Sequence, residues 1–98
     1  RMSVLVIGRM EIHDRDWMDE YYSKVPALIE ANAGKFLVRG GNPTKLEGSD
    51  ALPDAVTVLE FPDRAHALSF WNSDAFAPLV KLRQAGSALN AVLVDCLD

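Results

Sequence analysis

Two charges sit inside stretches that are otherwise apolar. Arg39 ends Lys35-Phe-Leu-Val-Arg39, and Glu60 interrupts Ala55-Val-Thr-Val-Leu-Glu60-Phe61. A charge placed in such a run is costly unless it is paired. The two runs read as neighbouring strands, so Arg39 and Glu60 are each other's first candidate partners, with Glu47 or Asp50 of the following loop next. Two readings stay open. One is a structural ion pair. The other is an arginine that holds an anionic oxygen, since a guanidinium offers a planar fork to carboxylate or enolate oxygens. Around this pair, Tyr22, Trp71 and Asn72 complete the set expected to line a cleft. His66 follows the Glu60-Phe61-Pro62 strand end and carries a ring that titrates near neutral pH. Its alternative is a solvent-facing helix histidine, and no catalytic residue is assigned.

Other chemistries find little support. His13 precedes Asp14 and Asp16, but the spacing fits no metal motif, so no metal site is assigned. Cys96 has no neighbouring histidine and reads as a structural thiol. There is no phosphate-binding glycine loop, no GxSxG and no CxxC. Nothing in the residues calls for a cofactor.

The elements that must position these residues follow from pattern. Ser3–Met10 reads as a strand with apolar residues on both parities. Asp14–Asn32 reads as a helix, capped by Asp14 or Asp16 and striped by Trp17, Tyr21, Val25 and Leu28. Pro26 should kink or interrupt it, and Gly34 should end it in the left-handed conformation. Lys35–Gly41 and Ala55–Phe61 are strands, separated by a polar loop. Asp63 caps a short helix over Arg64–Asn72. A second helix starts at Ser73 or Asp74 and runs to about Ala85, and Leu89–Leu97 is the last strand. The order βαββαβ gives an α+β, ferredoxin-like domain over residues 1–98, with helices on one face of a four-stranded antiparallel sheet.

That arrangement leaves one sheet face bare. Val4 to Ile7 and Val92 to Val94 are apolar on both parities, so each strand needs cover on two sides. A second copy packed sheet against sheet supplies it with one surface, as an isologous dimer. The bulk figures agree with a small globular domain: 98 residues, 49% hydrophobic and 24% charged. A net charge of -4 disfavours nucleic acid and anionic membranes as partners. The third strand also lacks the exposed aromatics of an RNA-binding βαββαβ domain. No apolar run approaches the length of a membrane span. The single cysteine and the lack of an apolar leader point to the cytoplasm, with Met2 after Arg1 read as the natural start.

Several stretches together resemble a known family. They are Tyr22, Val25-Pro26, Gly34-Lys-Phe-Leu-Val-Arg-Gly-Gly41, Leu46-Glu-Gly48, Val58-Leu-Glu-Phe-Pro62, Phe70-Trp-Asn-Ser73, Leu79 and Leu82-Arg83. The chain is similar to domain-of-unknown-function family 1330 (DUF1330) from about Trp17 to Asp95. The resemblance implies a dimeric α+β barrel, whose fold neighbours include cofactor-independent monooxygenases, muconolactone isomerase-like enzymes and stress-response barrel proteins. That spread assigns no reaction. The chain departs from the family in having Ala33-Gly34 for its usual double glycine, Phe76 for its usual tyrosine, and Asp95-Cys96 for its frequent Asp-Gly. The expectation is a homodimer that binds, or converts without cofactor, a small organic acid or aromatic metabolite. Its rival is a non-catalytic stability or protein-interaction module. Cleft volume discriminates them: about 300 Å³ or more with converging polar groups favours the first.

Overall fold

The computed structural model describes residues 3–98, so the reading of Met2 as a start lies outside them. The elements are β1 (Val4–Ile12), α1 (Met18–Ala31), β2 (Lys35–Gly40), β3 (Ala55–Phe61), α2 (Arg64–Trp71), α3 (Ala77–Gly86) and β4 (Ser87–Asp95). The four strands form one antiparallel sheet in the order β2-β3-β1-β4. This is the ferredoxin-like α+β arrangement that the βαββαβ order implies.

Alternation along β1 sorts its side chains. Val4, Val6, Gly8 and Met10 are buried, while Leu5 and Ile7 point to the other face and are half-buried. The inner face meets Tyr21, Val25 and Ile29 of α1, Ala67 and Phe70 of α2, and Leu79 of α3 in one core. Aromatic rings carry much of the contact. Phe70 lies 5.7 Å from Phe61 and 4.4 Å from Phe76, and Phe76 lies 6.4 Å from Tyr21.

The helix ends differ from expectation for identifiable reasons. α1 begins later than Asp14, with Trp17 in the capping position and no side-chain cap. Asp14 instead closes its own turn: its carboxylate accepts the Asp16 amide at 3.1 Å, and its carbonyl accepts the Trp17 indole N–H at 2.9 Å. Pro26 does not interrupt α1, which runs on both sides of it. The left-handed residue after α1 is Ala33 (φ 62°), not Gly34. The Ala33 amide donates to Glu30 and the Gly34 amide to Ile29, each at 2.9 Å, which is the paired C-terminal bonding of a Schellman end. Ala33 therefore sits where glycine is sterically cheaper. Ala33→Gly is expected to stabilise the fold by about 0.5–1 kcal/mol, net of the entropy that glycine adds to the unfolded chain. That is a melting midpoint about 2–8 °C higher by calorimetry.

Asp63 caps α2 as expected, its carboxylate accepting the His66 amide at 2.8 Å. α3 starts at Ala77, later than the expected Ser73 or Asp74. Ser73 closes the preceding turn by accepting the Phe76 amide on its Oγ at 3.2 Å. α3 then passes into β4 with no intervening loop, because the Gly86 carbonyl is taken up by the amides of His13 (2.8 Å) and Asp14 (3.1 Å).

Candidate functional site

One irregularity in β2 decides what faces the helices. Phe36 pairs with Leu59 but Val38 pairs with Val58, so Leu37 is an extra residue in the ladder. Without it, Arg39 would fall on the opposite face from Phe36. With it, Arg39 pairs with Thr57 and joins Phe36 on the helix side. Its guanidinium then lies 4.8 Å above the Tyr22 ring and 5.5 Å from Phe36. Contact of this kind at an exposed position is worth about 0.5–1 kcal/mol.

This corrects the expected pairing. Arg39 is exposed, and no described carboxylate forms an ion pair with it. Glu60 projects from the other face of the sheet, where Lys35 meets it at 3.6 Å. Glu60 is thus separated from the cleft by the sheet itself. Asn72 is exposed at the end of α2 and does not line the cleft. His66 is exposed and turned to Asp63, with 2.6 Å between its Nδ1 and Oδ1 of that residue. Of the expected set, Tyr22 and Trp71 line the cleft and Arg39 stands at its rim. Among the described residues no three metal-ligating side chains come together.

Behind the rim lies a small cavity of about 40 Å³ between the sheet and the helices. Its floor crosses three strands at one register, as Thr57 of β3, Gly8 of β1 and Ala91 of β4. Its walls are aromatic: Tyr21, Tyr22, Phe36, Phe70, Trp71 and Phe76.

The residue that stands out there is Arg83. It is 3% exposed, yet no described carboxylate pairs with it. Its Nε donates to the Tyr21 hydroxyl at 3.3 Å, and its guanidinium lies 5.9 Å from that ring. Among the described residues, no fully enclosed side-chain nitrogen or oxygen lacks a hydrogen bond. The terminal nitrogens of Arg83 make no hydrogen bond with the described residues and so are not fully enclosed, and the residue lines the cavity. A buried guanidinium without a counter-charge is costly to keep. From sequence alone, an arginine in a helix reads as a helix-face or interface charge. The signal was its spacing: Phe76, Leu79, Arg83 and Gly86 recur at helical intervals, and all four are buried.

The two tyrosines lie between the arginines, with their rings 5.1 Å apart and nearly perpendicular. Burial pushes the Tyr21 hydroxyl above its ordinary 10.0, outweighing the charge and hydrogen bond of Arg83. Burial and the neighbouring Tyr21 raise Tyr22 likewise, against Arg39 and Arg83. Raised pKa values favour the neutral phenols in the folded chain. Their stabilising contribution is complete below pH 10.0 and is lost as pH rises through the folded values. The chain has only these two tyrosines, so the ultraviolet tyrosinate band reads the site directly. Its midpoint is expected above 10.0; one at or below 10.0 would contradict the buried placement.

With this geometry in hand, comparison with known proteins is informative. The family profile described as "Domain of unknown function (DUF1330)" matches residues 3–97. The chain belongs to the DUF1330 family. A protein of unknown function from Rhodopseudomonas palustris has a similar structure, with TM-score 0.82, 18% identity, and coverage of 98% of this chain and 83% of that one. SnoaB, a cofactor-independent oxygenase from Streptomyces nogalater, aligns with TM-score 0.66 and 17% identity, over 100% of this chain and 96% of its own. An antibiotic biosynthesis monooxygenase aligns with TM-score 0.58 and 18% identity, over 97% of this chain and 99% of its own. At these identities the likenesses show the fold. No curated protein sequence matches the chain.

Proposed function

We propose that this DUF1330 chain binds a small, partly apolar organic acid or aromatic metabolite between its sheet and helices. Arg83 supplies the counter-charge. The observation that carries this is an arginine, 3% exposed as a residue and without a carboxylate partner, that lines an aromatic-walled cavity. An anion there completes the unmet partner of Arg83, and the surrounding rings bury the ligand's apolar body. Arg39 at the rim adds a second positive charge. The likeness to SnoaB and to the monooxygenase supports adding conversion without a cofactor to binding. No residue is assigned a catalytic role. The single cysteine supports a cytoplasmic setting, and no helix among the described residues is long and apolar enough to cross a membrane.

The rival reading, a non-catalytic interaction module, has one observation in its favour. The cavity of about 40 Å³ is well short of the ~300 Å³ at which small-molecule sites begin. The polar convergence expected of a site is present, and the volume is not. Melting scans with aromatic carboxylates, each paired with its neutral amide, separate the readings. A ligand at 100 times its dissociation constant stabilises by about 2.7 kcal/mol. The acid-binding reading expects shifts from the carboxylates alone; the module expects none from either series.

The bare sheet face supports the homodimer. Val38, Val58, Ile7 and Val92 lie side by side across four strands, with Leu5 and Val94 in the next row. Val92 is 59% exposed in the single chain. On the same side, the 41–54 loop holds Leu46 95% exposed above a hollow lined by Arg9 and Val56. A second copy would cover this surface. Sedimentation at micromolar concentration is expected to give about twice the 10.8 kDa chain mass. Ile7→Lys, at the centre of the row, is expected to return it to the single mass. A wild-type monomer would refute the dimer.

A further inference from the structure

We infer that Trp71 is a movable partition between two halves of one ligand site, and that the ligand is an elongated, flat aromatic carboxylate rather than a compact acid. This rests on the reading of the cleft as an acid site. The cavity at Arg83 has room for a few water molecules at ~10–15 Å³ each and for no aromatic ring. On the other side of Trp71 lies a groove of about 190 Å³ between α2 and β4. Ala67, Leu68, Val92 and Leu93 line the groove alone, and Val6, Trp71 and Ala91 line both spaces. Joined, and with the room the indole now fills, the two spaces approach the size of a small-molecule site.

Trp71 is placed to move. It is the last residue of α2, and its indole rests edge-on against Phe76 at 5.6 Å. Its N–H makes no hydrogen bond with the described residues, whereas the Trp17 indole is tied to Asp14 at 2.9 Å. Trp71 is only half-buried and its N–H is not enclosed, so no hydrogen bond within the protein holds the ring in place. Two of its neighbours in the groove are small, Ala67 one turn earlier on α2 and Ala91 on β4. The geometry fixes the polarity of the ligand. Its carboxylate lies at Arg83, its first ring beside Trp71 and Ala91, and its apolar far end in the groove, whose side chains carry no charge. Trp71 thereby sets which lengths are accepted.

Fluorotryptophan labelling tests this on the intact wild-type chain, because its two tryptophans give two fluorine resonances that Trp71→Phe assigns. Biphenyl-4-carboxylate is expected to bind about tenfold more tightly than benzoate and to shift the Trp71 resonance while that of Trp17 stays in place. Trp71→Ala is expected to speed association of biphenyl-4-carboxylate about tenfold. Binding that needs Arg83 but leaves the Trp71 resonance unmoved would overturn the partition and leave the acid site standing. No binding of either acid to wild type or Trp71→Ala at millimolar concentration would overturn both.

Discussion

Replacing Arg83 with methionine is expected to leave the melting midpoint at or above that of the wild type while removing acid binding. Arg83 is 3% exposed and has no carboxylate partner, so its charge has given up most of its water for little return. Methionine keeps an unbranched apolar stem, ends short of the guanidinium, and carries no charge. What the exchange loses is a long 3.3 Å bond to Tyr21, worth about 1 kcal/mol, set against a desolvation penalty of several kcal/mol. Binding should move the other way. Charge-assisted bonds to an anion are worth about 1.5–3 kcal/mol each, so losing even one weakens an aromatic carboxylate roughly 10- to 100-fold. Arg83→Lys keeps the charge without the fork and should fall between. Calorimetric melting and titration on the same samples give both answers. A methionine variant that melts more than about 10 °C lower would mark Arg83 as structural and remove the ground for the acid site.

Gly34→Ala is expected to destabilise the fold by about 2–3 kcal/mol, a melting midpoint about 10–20 °C lower. Backbone conformation is not the reason, since the left-handed position is Ala33. A Cβ on Gly34 would run into three ring carbons of Phe61, Cε1, Cδ1 and Cζ, all closer than side chains can approach. Phe61 is 0% exposed and lies 5.7 Å from Phe70, so it has no room to retreat. Phe61→Leu opens that space. The double variant is therefore expected to lose at least 1 kcal/mol less than the sum of the single losses, which denaturant melts can measure. Additive losses would place the cost of Gly34→Ala somewhere other than this contact.

The order of elements was legible because each carries its own period and punctuation. The doubled parity of Val4 to Ile7 correctly indicated a strand with two apolar faces. The helix starts were less legible. Asp14 and Ser73 have the right chemistry for caps, but spend their side chains on turns just ahead of the helices. Arg39 and Glu60 were matched because their strands pair, yet face depends on register. The single extra residue at Leu37 places Arg39 on one side of the sheet and leaves Glu60 on the other. Nothing local in Lys35–Gly40 signals that bulge. The helical spacing of Arg83 with Phe76 and Leu79 marks it for the buried face, a signal masked by its charge, which usually goes with exposure.

The central claim is that an acid meets Arg83 inside the cleft, and the guanidinium itself can report it. The Nε–H resonance of Arg83, assigned by its loss in Arg83→Lys, is to be followed by NMR while biphenyl-4-carboxylate and then its amide are titrated into the wild-type chain. The account predicts a saturable shift of that resonance with the carboxylate and none with the amide. A resonance that stays in place with the carboxylate at millimolar concentration, or moves equally with both, would contradict it.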